Sequence, residues 1–249
     1  MVSHLSYCEA VDFLMKKGFD GVEIASIDKQ FQFRDEFFEE DFPEKMKAAM
    51  EAAGVKGFSV SAHKDYTLDE ETFEGVKKTI EIGKKLGSKY VIINGAVIRD
   101  GEDYDEQYKA MYEKTAELAA YAESLDIRLA IEYEPHFVVG NTPQLLEFIE
   151  KIGSPALGIN CDIGHVFLCD SDPLQAIADS APYILQCHVE NMAAGVHDHL
   201  VPWEGDMDLK AYIGKLKEIG FDGGLGLDLY HYEYGDVCGQ CVEYLRNIM

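Results

Sequence analysis

Basic residues are scarce in this sequence of 249 residues. Its 22 lysines and arginines stand against 46 aspartates and glutamates, which gives a formal net charge of -24 at pH 7. A chain with this charge repels phosphate backbones and anionic lipid headgroups. The composition therefore argues against nucleic acid or a membrane surface as the partner.

Long apolar runs are also absent, because no stretch of 18 apolar residues occurs. The amino-terminal stretch MVSHLSYCEAVDF lacks the basic, apolar and small-residue zones of a signal peptide. We therefore expect a cytoplasmic protein. The 47% of hydrophobic residues can fill a substantial core, and the length suits one domain over residues 1–249.

Two nucleotide-binding motifs, G-x-G-x-x-G and G-x-x-x-x-G-K-[ST], do not occur, which weakens the case for a nucleotide-binding fold. Among the six cysteines, only the CGQC stretch at 238–241 has the spacing of a motif. No second cysteine pair completes a zinc site, and no strand directly precedes the stretch as a thioredoxin-type motif requires. We predict helix cysteines that stay thiols.

Apolar runs rich in Val, Ile and Leu alternate with amphipathic stretches along the whole chain, which is typical of βα units. Eight predicted helices and continuous hydrophobic strands favour a (β/α)₈ TIM barrel over an open doubly wound sheet. The predicted strands number seven, at 21–25, 57–63, 90–95, 128–134, 156–162, 183–190 and 225–230.

The first β-strand of the barrel is missing, because the chain opens with a helix. The stretch GFDG, at 18–21 and again at 220–223, marks a helix end before a strand in both places. The strands GVEIA and LGLDLY should then flank a gap and expose two sheet edges, as in a chain truncated at its start. We expect low stability, or pairing with another chain in a homo-oligomer.

Four predicted strands end in a side chain that can bind a metal or carry a proton: Glu132 or Glu134, Asp162, His188 and Asp228. The carboxyl ends of barrel strands meet at one face, where active sites are built. Carboxylates that point into one cavity repel each other unless a cation neutralises them. Three carboxylates and one imidazole favour Mn²⁺, Mg²⁺ or Co²⁺, and further histidines would favour Zn²⁺.

The chain contains, in order, the stretches LAIEYEP, NTPQLLEFIEKIGSPALGINCDIGH, QCHVEN, HDHLVPWEGDMDL and GFDGGLGLDL. Together they resemble the xylose-isomerase-like TIM barrels, the sugar phosphate isomerase and epimerase superfamily. The resemblance covers nearly the whole chain. It implies one divalent cation bound by Glu132, Asp162, His188 and Asp228.

The same resemblance places His63, His165 and His199 at the substrate, with His165 able to join a metal shell. Glu134 shares a strand face with Glu132 and is expected to contact substrate as well. His197 and His199 lie two apart, like the acid and histidine that bind additional zinc ions in the apurinic endonuclease branch. The remaining histidines are expected to be structural or peripheral: His4, His136 and His231.

Two departures from the family pattern concern the substrate pocket. Asp228 stands where sugar isomerases and epimerases usually have Glu, so its carboxylate reaches one methylene less far. Trp203 in VPWEG stands where glycine is common, which indicates an altered pocket that includes this side chain.

The leading hypothesis is a metal-dependent isomerase or epimerase of a keto-sugar, or of a related polyol or cyclitol, through a metal-stabilised enediolate. Glu132 and Asp228 would be its proton carriers. One alternative is a dehydratase of the same family, which a short Asp228 favours. Another is an apurinic endonuclease, which the charge and Asn94 at a position of an expected histidine disfavour. The third is a non-catalytic sugar-binding barrel.

Overall fold

The computed structural model of the protein describes residues 2, 4–230 and 232–249. Their strands form one parallel sheet in the order in which they occur along the chain, and each is followed by at least one helix. This is a nearly closed TIM barrel, and the predicted fold class is confirmed. The strands are β1 Gly21–Ala25, β2 Gly57–Ala62, β3 Tyr90–Asn94, β4 Arg128–Glu132, β5 Leu157–Asp162, β6 Ile184–Val189 and β7 Leu225–Leu227.

The described residues contain nine α-helices and not the eight predicted. The extra helix arises between β5 and β6, where Asp170 is extended (φ -104°, ψ 138°) and Pro173 opens a second helix capped by Asp172. A 3₁₀ helix covers Asp35–Phe38. The α-helices are α1 Tyr7–Lys16, α2 Phe42–Ala53, α3 Glu70–Leu86, α4 Tyr104–Ser124, α5 Thr142–Ile152, α6 Ile163–Cys169, α7 Pro173–Ser180, α8 Leu209–Glu218 and α9 Tyr234–Ile248.

The two GFDG stretches do mark helix ends. Gly18 follows α1 with φ 96°, and Gly220 follows α8 with φ 77°, a conformation that favours glycine. The CGQC cysteines, Cys238 and Cys241, lie on α9 as free thiols, as predicted, and both are buried. None of the described helices combines the length and apolarity needed to span a membrane.

Within the described residues, β1 pairs with β2 and β7 pairs with β6, and the sheet order places these two strands at its edges. The expected gap between the first and last strands is therefore confirmed. The last strand is shorter than the predicted 225–230. Its chain leaves the sheet because Tyr230 donates its backbone N–H to His199 in the loop after β6.

The carboxyl ends of the other strands lie close to the predicted positions. The strand predicted at 128–134 ends at Glu132, and Pro135, two residues beyond Tyr133, has no N–H to continue a ladder. All six residues of β5 are buried. A buried strand that ends in Asp162 therefore presents a carboxylate at the barrel mouth.

Candidate active site

The direct passage from β5 into α6 places Asp162 and His165 together. Asp162 is the last residue of β5 and the N-cap of α6, where its Oδ1 accepts the backbone N–H of His165 at 2.8 Å. The spacing of three residues puts both side chains on one side of the first helical turn. His165 Nδ1 lies 3.6 Å from Asp162 Oδ1 and 3.5 Å from Glu132 Oε1.

Three of the four predicted metal ligands form one group. Glu132, Asp162 and His188 offer ligand atoms that all lie within 4.8 Å of one another. His188 Nδ1 is 3.1 Å from Glu132 Oε2 and 3.9 Å from Asp162 Oδ2. Asn160, from β5, donates its side-chain N–H to Glu132 Oε2 and holds that carboxylate in place.

Asp228, the fourth predicted ligand, lies in a second group with Asp162 and His199. Its Oδ2 is 3.4 Å from His199 Nδ1, and its side chain is 22% exposed, against 2% for Glu132. Asp162 is therefore shared by the group that contains Glu132 and the group that contains Asp228.

Three histidines form a third group. The Nε2 atom of His197 lies 3.0 Å from that of His165 and 3.2 Å from that of His199, so the three rings bring ligand nitrogens close together. Partial burial and the charges of the other two rings lower the pKa of His197 to about 4. A neutral ring keeps the lone pair that metal binding requires.

A fourth group joins His63 and His188 to Glu23, which sequence reasoning missed. Glu23 lies in the middle of β1, and its Oε2 is 2.9 Å from His188 Nε2. His63 Nδ1 contacts Asn94 Oδ1 at 2.7 Å, and Asn94 donates to Glu134 Oε1 at 2.7 Å. The available signal was an acid inside the apolar strand GVEIA.

The donor sets fit a divalent cation. Several buried polar atoms have no hydrogen-bond partner in the protein, which is costly unless another ligand satisfies them. A cation would do so for the carboxylate and imidazole atoms, whose chemistry suits Mn²⁺, Co²⁺ or Zn²⁺. These atoms are Asp162 Oδ2, His165 Nδ1, His188 Nδ1, Glu190 Oε2 and His199 Nδ1.

Charge pairing inside the site outweighs burial for several groups. Burial would lower the pKa of His188, but the carboxylates of Glu23 and Glu132 hold it well above its ordinary value. Burial would raise the pKa of Glu132, but the charge of His188 keeps it below the ordinary value. Burial raises the pKa of Glu134 despite the opposing charges of His165 and His63. Burial and the charge of Asp162 together raise the pKa of Glu190 strongly.

The other predicted residues lie farther out. Trp203 is 42% exposed, and its ring packs 6.1 Å from that of Tyr244 on α9. His4 and His136 are exposed, and His231 lies outside the described residues. Glu190 was not predicted as a site residue, although it is fully buried and accepts the backbone N–H of Gly164 at 2.7 Å.

A family model described as "Xylose isomerase-like TIM barrel" matches residues 11–247. The chain belongs to this family. An inosose isomerase of Halalkalibacterium halodurans is 24% identical over 94% of the chain and 84% of that protein. An uncharacterised protein of Methanocaldococcus jannaschii is 28% identical over 63% of the chain and 56% of that protein, so the match spans little more than half of its length.

The fold recurs in solved structures. A 3-keto-D-glucoside 4-epimerase of E. coli matches with a TM-score of 0.81 and 15% identity, covering 97% of the chain and 94% of that protein. The relatives also include sugar-phosphate epimerases and a dehydratase. The chain is therefore similar to sugar isomerases and epimerases, at low identity.

Proposed function

We propose that the chain isomerises or epimerises a keto-sugar, or a related polyol or cyclitol, by proton transfer at a carbon beside a carbonyl. The observation that carries the proposal is the arrangement of two carboxylates around Asp162. Glu132 ends β4 and Asp228 directly follows β7, and each forms a metal-capable group with Asp162. Two bases from separate parts of the barrel can act on two faces of one substrate carbon.

Glu132 and Asp228 differ in what holds them. Glu132 Oε2 faces Asn160 and His188, which leaves Oε1, near His165, as the oxygen available for a substrate proton. Asp228 is more exposed and contacts His199. One carboxylate would accept the C–H proton and the other would return a proton, to the opposite face in an epimerase or to the neighbouring carbon in an isomerase.

Glu132, Asp162 and His188 would hold a divalent cation, with Asp228 as a fourth ligand. Such a cation would supply the positive charge that stabilises the anion formed when a proton leaves carbon. His63, His165, His199 and Glu134 lie around these groups, within reach to orient substrate hydroxyls.

We expect an unphosphorylated substrate. The basic side chains that follow β2 and β3 are engaged elsewhere. Lys64 donates to the backbone carbonyl of Phe31 at 2.9 Å, and Arg99 pairs with Asp65 at 3.3 Å and with Glu102 at 2.8 Å. A phosphate would instead enter a region rich in carboxylates, where it would be repelled.

The test is proton exchange in D₂O. We expect the Mn²⁺- or Co²⁺-loaded chain to place deuterium on carbon in at least one member of a panel of ketoses and inososes, as detected by mass spectrometry. Glu132→Gln and Asp228→Asn should lose the exchange. Asp170→Asn, which changes a carboxylate bonded to Tyr133 and Thr142, is the matched control and should retain it. No deuterium in any substrate would refute the proposal.

The short Asp228 side chain also keeps dehydration open as an outcome of the same incubation. A 3-dehydroshikimate dehydratase of Bacillus anthracis is 22% identical to the chain over 79% of the chain and 70% of that protein. Dehydration would give a product about 18 mass units lighter than the substrate, and no epimer or isomer would form.

A second candidate, phosphodiester hydrolysis, is favoured by one observation. The group of Asp162, His199 and Asp228 shares His199 with the three-histidine group, so the site could hold more than one ion. The net charge of -24 opposes binding of DNA. Nicking of abasic duplex DNA by the Zn²⁺-loaded chain would favour this candidate, and its absence under conditions that support deuterium exchange would exclude it.

A further inference from the structure

A polar layer crosses the barrel interior beneath the candidate metal group. It consists of four side chains from four strands: Glu23 of β1, Ser59 of β2, Tyr90 of β3 and Gln186 of β6. Interior layers of TIM barrels are usually filled by branched apolar residues. Ser59 and Gln186 are buried, whereas Glu23 and Tyr90 are partly exposed. Burying polar groups costs free energy unless they are hydrogen-bonded.

The hydrogen bonds of this layer have a defined direction. The Tyr90 hydroxyl donates to Gln186 Oε1, so the Gln186 amide N–H groups face Ser59 at 2.9 Å and Glu23 at 3.1 Å. The Ser59 hydroxyl in turn donates to Glu23 Oε2 at 3.2 Å. Two donors therefore fix the same carboxylate oxygen of Glu23.

That oxygen also meets His188. Glu23 Oε2 lies 2.9 Å from His188 Nε2, while the other ring nitrogen, Nδ1, faces Glu132. A carboxylate can only accept, so Nε2 must carry the proton in this contact. Nδ1 faces Glu132 and Asp162 and makes no hydrogen bond in the protein, so it is the nitrogen that would give up its proton and bind a metal.

We propose that Glu23 is a positioning residue for His188. It keeps the ring in the tautomer and orientation in which Nδ1 is the ligand atom, and the polar layer holds Glu23 for this task. Carboxylates behind ligating histidines have this effect at metal sites in general. The inference rests on the metal binding of the proposed function, but not on turnover of any substrate.

Two variants of Glu23, one mild and one severe, test the inference. Glu23→Gln keeps the size and a weaker acceptor, and Glu23→Leu removes the acceptor. We expect the affinity for Co²⁺ alone, measured by calorimetry, to fall about 10- to 100-fold in Glu23→Leu and by less in Glu23→Gln. In Zn²⁺-loaded protein labelled with ¹⁵N-histidine, the slowly exchanging Nε2–H signal of His188 should be present in the wild type and lost in Glu23→Leu.

Thr115→Val is the matched control, because it removes a buried hydrogen bond between α4 and Tyr66. It should reduce stability without changing Co²⁺ affinity more than about twofold. A purely structural Glu23 would behave like Thr115, with lower stability but wild-type affinity and an unchanged Nε2–H signal, and that result would overturn the inference. If Glu23→Leu does not fold, Glu23→Gln alone decides between the two.

The result separates this inference from the proposed function. A Co²⁺ affinity that falls in Glu23→Gln and falls further in Glu23→Leu, with no deuterium exchange in any ketose, would support the role of Glu23 and refute the sugar isomerase. Deuterium exchange that persists in Glu23→Leu, together with wild-type Co²⁺ affinity, would support the sugar isomerase and refute the role of Glu23. A wild-type chain that binds no Co²⁺ would overturn the inference.

Discussion

Asp162 combines a structural and a chemical task in one carboxylate. Its Oδ1 caps α6, while its Oδ2 is buried without a hydrogen-bond partner in the protein. Burial would raise the pKa of Asp162, but the charges of His165, His199 and His188 hold it well below the ordinary value. The carboxylate is therefore ionised and ready to bind a cation at neutral pH.

Replacing Asp162 by Asn separates these tasks. Asparagine is as good an N-cap as aspartate, so we expect α6 to persist. Co²⁺ affinity, measured by calorimetry, should fall on the order of 100-fold or more. Asp170→Asn serves as control, and an equal loss of affinity in both variants would contradict the role of Asp162 as a ligand.

His63 should make the stability of the metal-free protein depend on pH. Burial would lower its pKa, but the hydrogen bond with Glu23 and the charge of Glu132 raise it from 6.5 to about 9. The folded state therefore binds the proton more tightly, so this contribution is full below pH 6.5 and is lost as the pH rises through 9.

The measurement compares urea unfolding of the chelated wild type and His63→Gln across this pH range. The stability difference between them should shrink by about 3 kcal/mol from the low to the high end. A stability difference that stays constant with pH would contradict the assignment.

At the scale of elements, the junction of β5 and α6 allows little change. A Cβ on Gly164 would clash with Glu190 Oε1 and lie 2.5 Å from Met192 Cε, whereas a Cβ on Gly214 in α8 would meet nothing within 4 Å. A side chain at the first position would have to displace the buried ends of Glu190 and Met192. The second glycine only lowers the helix propensity of α8.

Two alanine substitutions should therefore have opposite effects. We expect Gly164→Ala to lower the free energy of unfolding by about 1 to 3 kcal/mol through overpacking. Gly214→Ala should raise it by up to about 1 kcal/mol. Chemical denaturation measures both, and a stable Gly164→Ala protein would mean that Glu190 moves aside at little cost.

At the scale of the whole molecule, the barrel has two edges among its described residues. The central strand β4 is paired on both sides, whereas β7 is three residues long and paired with β6. Asp228 follows directly after β7, so one side of the candidate site rests on the least supported strand.

Hydrogen exchange should reveal this asymmetry. We expect the amides of Leu225–Leu227 to exchange at least about 10-fold faster than those of β4 in the metal-free protein. Saturating Co²⁺ should slow exchange around Asp228 if that residue is a ligand. Equal protection of β7 and β4 without metal would show that the two edges pair in solution.

The sequence by itself determined the layer pattern and indicated most residues of the candidate site. Strands buried on both faces appear as continuous apolar runs, and parallel strands bring their carboxyl ends to one face. Asp162, His188, Asp228 and either Glu132 or Glu134 could therefore be predicted as neighbours at that face, and the family resemblance implied Glu132. The GFDG stretches are local signals, and they placed the ends of α1 and α8 correctly.

The tertiary structure alone decided which nitrogen of His188 faces which acid. Glu23 and His188 are separated by 165 residues, and their contact exists only because the sheet curls until β1 and β6 face each other across the interior. No periodicity in a single strand encodes that distance. The division of the ligands into overlapping groups around Asp162 has the same origin, because it depends on loop paths, such as that of His199, which no local pattern determines.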